Sequence, residues 1–221
     1  NTVGNATGLV NGARDFESGN SESAERASEA ALQLGDNDWT IGGWVKFESL
    51  SAQRTLLSRW KPASVREWMV QYNDSEDRIK VRISGDGSSI TSLLANTLGS
   101  PSTGTWYFIL FRHDSVNDEI SVEVNQGGED TASHTGGLHS GTMNTIMGAH
   151  RNSVSSDPVN YMDGLLDEWF IFEKVLSSDE GDWLYNSGSG RAYSDLFAVD
   201  AAVGSAIASG ISITSLIEAG R

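Results

Sequence analysis

The sequence predicts an all-β protein: two antiparallel sheets packed as a sandwich, with one short helix near the C-terminal end. Three observations carry this. Apolar residues recur at every second position through much of the chain, the period of a strand with one buried face. Glycine is plentiful (24 of 221 residues) and proline scarce (Pro62, Pro101 and Pro158), so the strands keep their backbone donors for the ladder. Turn chemistries separate the short apolar segments.

In chain order, Trp39, Ile41, Val45 and Phe47 point one way with Gly43 between them, and Trp44 falls on the opposite face. Glu67-Trp-Met-Val-Gln-Tyr72 is a strand pattern, and Arg78-Ile-Lys-Val-Arg-Ile83 alternates charged and β-branched residues without a break. Trp106 to Phe111 is continuously apolar, which reads as a strand buried on both faces. Glu119-Ile-Ser-Val-Glu-Val124 alternates again. Asn73-Asp74, Gly85-Asp-Gly87, Val116-Asn-Asp118, Gln126-Gly-Gly128 and Gly136-Gly137 supply the turns.

The helix follows Leu176. Ser177 is its N-cap, Glu180 stands three residues on to complete a capping box, and Trp183 and Leu184 form its apolar side. Asn186-Ser-Gly188 ends it. The body therefore spans residues 1–197. The tail, 198–221, is rich in Ala, Gly, Ser and Ile, with Glu218 and Arg221 its only charges after Asp200. Ala201 to Ala208 reads as helix weakened by Gly204, or Ile211-Ser-Ile213 as a strand. So apolar a tail is expected to pack on the domain or on a partner.

Composition bounds the function. Seven Trp, seven Phe and five Tyr in 221 residues suffice for a sizeable core, which argues against disorder. A net charge of −15 argues against a generic nucleic-acid binder. No apolar run approaches the ~18 residues of a membrane span. Without cysteine there is no disulfide scaffold, thiol nucleophile or thiolate metal site. The chain opens at Asn1 with no Met and no basic-then-apolar leader, which reads as a processed product or a segment of a longer chain. The charge is uneven: residues 51–100 hold seven basic residues against five acidic, and 151–200 hold three against ten. Either one sheet face is locally basic on an acidic body, or these are ordinary solvated strand faces.

Six segments, in order, resemble the LamG-like jelly-roll domains, the laminin G and pentraxin-like branch of the concanavalin A-like superfamily. They are Asn11-Gly-Ala-Arg-Asp-Phe16, Leu34 through Lys46, Thr55-Leu-Leu-Ser-Arg-Trp60, Gly104-Thr-Trp-Tyr-Phe-Ile109, Tyr161 through Trp169, and Val175 through Gly188. The resemblance implies a jelly-roll topology over roughly 9–197. It also implies a recognition or adhesion role: lectin-like binding of a glycan or a cell-surface ligand, at an extracellular or virion surface. The alternative it offers is a decoration or attachment subunit of a particle, such as a virus or phage, docking as an oligomer or on a capsid protein through residues 198–221. It further implies one structural Ca²⁺, held by Glu17 and Asp167 with a backbone carbonyl such as that of Ser18. The family's early acidic-glycine turn is altered here to Asp15-Phe-Glu-Ser18.

Catalysis finds little support. Enzymes of the superfamily carry E-x-D-x-E on one strand; Glu119-Ile-Ser-Val-Glu123 has the outer spacing, but Ser121 replaces the central Asp. This leaves glycoside hydrolysis a remote alternative. His113, His134, His139 and His150 lie in or beside polar turns, where solvated histidines are expected, and neither G-x-S-x-G nor H-E-x-x-H occurs. Binding remains. Sugars are recognised by an aromatic face plus groups that reach hydroxyls, so the candidates are His150, Arg151, Asn152, Tyr161 and Trp68. Trp60 reads as core, and Trp68 sits in a strand pattern that also allows it to face inward.

Overall fold

The computed structural model describes residues 2–62, 65–153, 155 and 157–197. The tail expected to serve as a docking element, 198–221, lies outside the described residues. The strands are β1 (Gly4–Thr7), β2 (Gly12–Phe16), β3 (Ala24–Arg26), β4 (Trp39–Phe47), β5 (Arg54–Lys61), β6 (Val65–Asn73), β7 (Arg78–Ile83) and β8 (Thr91–Leu94). They continue with β9 (Trp106–Asp114), β10 (Glu119–Val124), β11 (Glu129–Ser133), β12 (Thr145–Met147), β13 (His150–Arg151), β14 (Pro158–Val159) and β15 (Gly164–Phe172), followed by helix α1 (Ser178–Tyr185). Seven strands form one sheet in the order β1-β2-β15-β4-β9-β10-β11, and six form the other, β3-β12-β5-β6-β7-β8. A small ladder joins β13 to β14. This is the antiparallel two-sheet sandwich with one short helix that the alternation predicts, consistent with a jelly roll.

Alternation sorts the side chains into layers. Trp39, Ile41, Val45 and Phe47 meet Trp68, Val70, Tyr72, Ile79, Val81 and Ile83 in the main core between the sheets. The opposite face of the seven-stranded sheet is also apolar: Trp44, Phe108 and Leu110 pack under Leu176, Leu184 and Leu196. The aromatic-rich strand β9 is thus buried on both sides, with Tyr107, Ile109 and Phe111 in one layer and Phe108 and Leu110 in the other. Close approach at β4 needs glycine, because a Cβ on Gly43 would stand 2.6 Å from the Trp169 ring.

The helix begins as expected. Ser177 Oγ accepts from Glu180 N, and the Glu180 carboxylate accepts from Ser177 N at 3.0 Å. Asn186 closes it in the left-handed region, at φ 49°. Helix and cap seal the outer side of the seven-stranded sheet.

Three bulges adjust the pattern, the first in β5, where Leu56 is the extra residue between the Thr55–Gln71 and Leu57–Val70 pairs. In β15, Asp167 pairs with Trp44 and Phe170 with Gly42, leaving one extra residue in that strand, and Glu168 takes φ 46° there. In β6, Trp68 pairs with Arg59 and Arg66 with Trp60, so Glu67 is the extra residue. Opposite residues share a face, so Arg59 lies on the core side with Trp68 and binds Glu67, Nε to Oε2 at 2.7 Å. Trp60 and Arg66 pass to the other side.

Candidate functional site

With one sheet sealed by α1, the outer face of the six-stranded sheet is the remaining broad surface of the sandwich. The core-facing residues of β6 and β7 fix what it displays. Met69 and Gln71 from β6, Arg78, Lys80 and Arg82 from β7, and Thr55 and Ser58 from β5 all point outward. The β6 bulge adds Arg66 opposite the outward Trp60 of β5, the guanidinium carbon of Arg66 lying 6.0 Å from the Trp60 ring centroid. Trp60 is 1% exposed, so it forms the floor of this face and not an open platform. Four of the seven basic residues of 51–100, Arg66, Arg78, Lys80 and Arg82, therefore share this side, while Arg54 and Arg59 lie on the core side, paired with Asp163 and Glu67.

His150 belongs to this face as well. Its Nδ1 shares a 2.8 Å hydrogen bond with Thr55 Oγ1, and Gln71 Oε1 accepts from Gln53 at 2.5 Å. Burial, with the Arg82 charge second, pushes the His150 pKa down to about 4, so the imidazole is neutral at physiological pH. Arg151, Asn152 and Tyr161 flank the β13–β14 hairpin at the edge of the same sheet, all half-buried. Arg151 is ion-paired with Glu25, Asn152 N donates to the Asp157 carbonyl, and the Tyr161 carbonyl accepts from Arg54. The structure brings His150 onto the face and leaves these three on its rim.

Trp68 is a correction. It is fully buried in the main core, where strand alternation turns it inward, and it cannot stack on a ligand. The histidines are a second one: His113, His134 and His150 are buried and hydrogen-bonded beneath loops instead of solvated. Sequence reasoning missed Arg66 and Arg82; the basic excess of residues 51–100 was their only signal.

The expected metal pair is also separated. Asp15 sits opposite Leu165, so Glu17 falls four residues from the position of Asp167 along the ladder, about 13 Å at strand rise. Asp167 is fully buried and accepts the backbone N–H of Val10 at 2.8 Å, locking the β1–β2 turn. Glu17 instead converges with Asp15 and Glu48, one oxygen from each lying within 4.8 Å of the others. Burial raises the Glu48 pKa, and the charges of Asp15, Glu17 and Asp163 raise it further.

On the sealed sheet, the Glu119–Glu123 strand does not form a pair of free carboxylates. Glu123 is 2.8 Å from Arg112 in a buried ion pair, and Ser121 Oγ donates to Glu129 at 2.9 Å. Glu119 stands at the strand end beside the hairpin turn.

Solved structures with the same architecture share little sequence with this chain. The binding domain of Paraclostridial Mosquitocidal Protein 1 superposes with TM-score 0.65 at 14% identity, over 84% of this chain and 46% of that one. Domain 4 of AbnA, an extracellular arabinanase of Geobacillus stearothermophilus in complex with arabinotriose, gives 0.60 at 18% identity, over 86% and 82%. The carbohydrate-binding module CBM40 of the Ruminococcus gnavus IT-sialidase, bound to α2,3 sialyllactose, gives 0.54 at 14% identity, over 72% and 91%. The chain spans less than half of the first of these. No curated protein matches the sequence. A laminin G family profile does match, over residues 10–180, and it covers β2 through β15 and the start of the helix. The protein belongs to that laminin G family, within the concanavalin A-like lectin/glucanases superfamily.

Proposed function

We propose that this protein is a non-catalytic glycan-recognition module whose ligand docks on the outer face of the six-stranded sheet. The observation that carries the reading is the asymmetry of the sandwich. One outer face is closed by α1 and its apolar layer. The other carries the half-buried guanidiniums of Arg66 and Arg82 above a buried layer of Gln71, His150 and the Trp60 indole. Side chains of this kind reach sugar hydroxyls, and the half-buried rim at Arg151, Asn152 and Tyr161 extends the contact. The arabinotriose and sialyllactose complexes among its structural relatives support the same class of ligand. The Glu123–Arg112 pair supports a non-catalytic role, since that carboxylate is committed to its guanidinium.

A glycan array followed by calorimetry tests this with two blocking variants. Ser92, exposed and opposite Arg82 on the face, becomes Trp; Thr131, exposed on the other sheet, becomes Trp as a control. Binding lost in S92W and kept in T131W is the expected result. Equal binding by both variants, or no glycan bound by the parent protein, overturns the reading.

We also propose that a calcium ion, if bound, sits at Asp15, Glu17 and Glu48. The residues fit the ion: hard carboxylate oxygens converge, and the buried Asp15 Oδ1 has no hydrogen-bond partner. The ion would relieve the repulsion among these groups and tie β2 to the end of β4, a structural role.

A further inference from the structure

We propose that the ligand of this face is an acidic sugar, one whose carboxylate or sulfate is gripped by Arg66 and Arg82. The proposal rests on the glycan reading above and sharpens it. It starts from a contrast in how this fold treats its arginines. Arg59, Arg112 and Arg54 are buried, and each is matched to a carboxylate: Glu67 at 2.7 Å, Glu123 at 2.8 Å and Asp163 at 3.2 Å. Arg66 and Arg82 are half-buried and, among the described residues, neither has a carboxylate within ion-pair distance. Arg66 gives one terminal nitrogen to the Ser88 carbonyl, and its Nε is buried without a partner. The buried Nε of Arg82 is likewise unmatched.

The surroundings compensate only in part. Glu76, the acid whose charge acts on Arg82, is engaged by Lys80 at 2.6 Å. Gln71, fully buried two residues along β6 from Met69, the partner of Arg82, uses its carbonyl for Gln53 and leaves its Nε2 without an acceptor. Burial lowers the Arg82 pKa; the Glu76 charge draws it back up, and the Arg66 charge, a smaller effect, lowers it. The face is thus rich in donors and short of acceptors, on a protein of net charge −15. A planar anion satisfies it: guanidinium forks match a carboxylate or sulfate through paired N–H donors. A neutral sugar would leave two adjacent cations uncompensated when it excluded water from them.

The test compares three probes on the full chain by calorimetry: a uronic acid trisaccharide, its methyl ester, and a sulfated trisaccharide. The ester keeps the ring and removes the charge. Tighter binding of an acidic probe than of the ester is expected, weakening as salt rises, with the carboxylate and sulfate arms identifying the preferred anion. Arg66→Gln and Arg82→Gln should each weaken the acidic probe roughly tenfold or more and leave the ester unchanged. Arg78→Gln is the control, lying four residues from Arg82 along β7 with its Nη1 donating to the Asp77 carbonyl and Ser100. If R82Q does not fold, R66Q and the acid-to-ester ratio of the parent protein carry the same decision. Equal binding of acid and ester overturns the acidic specificity and leaves the glycan reading intact. Failure to bind these probes or any neutral glycan overturns both. Equally tight binding of a single-stranded oligonucleotide overturns the sugar specificity in favour of general polyanion attraction.

Discussion

Trp60 and Arg66 stand opposite one another where β6 carries one residue more than β5, and this insertion sets Arg66 on the outer face. The extra residue, Glu67, turns to the core side and meets Arg59, while Trp60, next to Arg59 in β5, points outward by ordinary alternation. Both members of the Arg59–Glu67 pair are fully buried. Arg59 also reaches Ser28 Oγ and the Gly141 carbonyl, so the pair pins two loops to the sheet.

Removing one partner of that pair exposes its cost. Burial raises the Glu67 pKa, against the pull of Arg59 in the other direction. Glu67→Ala leaves a buried guanidinium without its counter-ion and should cost about 3–5 kcal/mol. Urea denaturation with a tryptophan fluorescence readout checks this; a loss below about 1 kcal/mol would show that the guanidinium finds another partner.

The helix cap gives a smaller, cleaner number. Ser177→Ala deletes the acceptor for the Glu180 N–H and should cost about 1 kcal/mol. Equilibrium denaturation would report it, and Ser177→Asp should recover most of the loss.

Two buried groups titrate against one another. Burial, then the Asp167 and Asp195 charges, lift the Glu168 pKa to about 7 from an ordinary 4.5, while the Tyr193 N–H donates to its carboxylate at 3.1 Å. Its contribution to stability is full below pH 4.5 and is lost as pH rises through 7. His150, lowered to about 4 from 6.5, acts the other way: its contribution is full above pH 6.5 and is lost as pH falls toward 4. Each is worth on the order of 3 kcal/mol at its limit. The parent protein should therefore show a shallow pH dependence between 4.5 and 6.5. Glu168→Gln should unmask a loss of stability on acidification across that range, and a flat profile in this variant would contradict the opposition.

Calcium should raise the melting temperature, and EDTA should lower it, if Asp15, Glu17 and Glu48 hold the ion. Asp15→Asn should abolish the calcium response and, by relieving repulsion, leave the calcium-free protein as stable or slightly more so. Scanning calorimetry with and without the metal distinguishes this from an acidic cluster that binds nothing.

The strands and the helix cap were legible because each is written locally. Alternation in Arg78–Ile83, continuity in Trp106–Phe111 and the Ser177–Glu180 spacing need no knowledge of distant residues. The face was harder. An inserted residue such as Leu56 in β5 or Glu67 in β6 shifts the parity of its strand, and no local pattern marks where it falls. His113 and His134 lie beside turns in sequence, but loops folded over them. Asp167 resembles a metal ligand in its motif, yet backbone N–H groups of the β1–β2 turn reach it first. Arg66 and Arg82 came into view only when strand pairing set them on one side.

The second apolar layer fixes how short this protein can be made. Trp44, Phe108 and Leu110 lie on strands central to the seven-stranded sheet, but their cover comes from Leu184 and Leu196. The family match ends at residue 180, before either of them. A version trimmed at that boundary would keep every strand and still bare an aromatic surface to water. The smallest autonomous unit thus reaches past the matched stretch, and excision at its edge would yield a sticky sandwich.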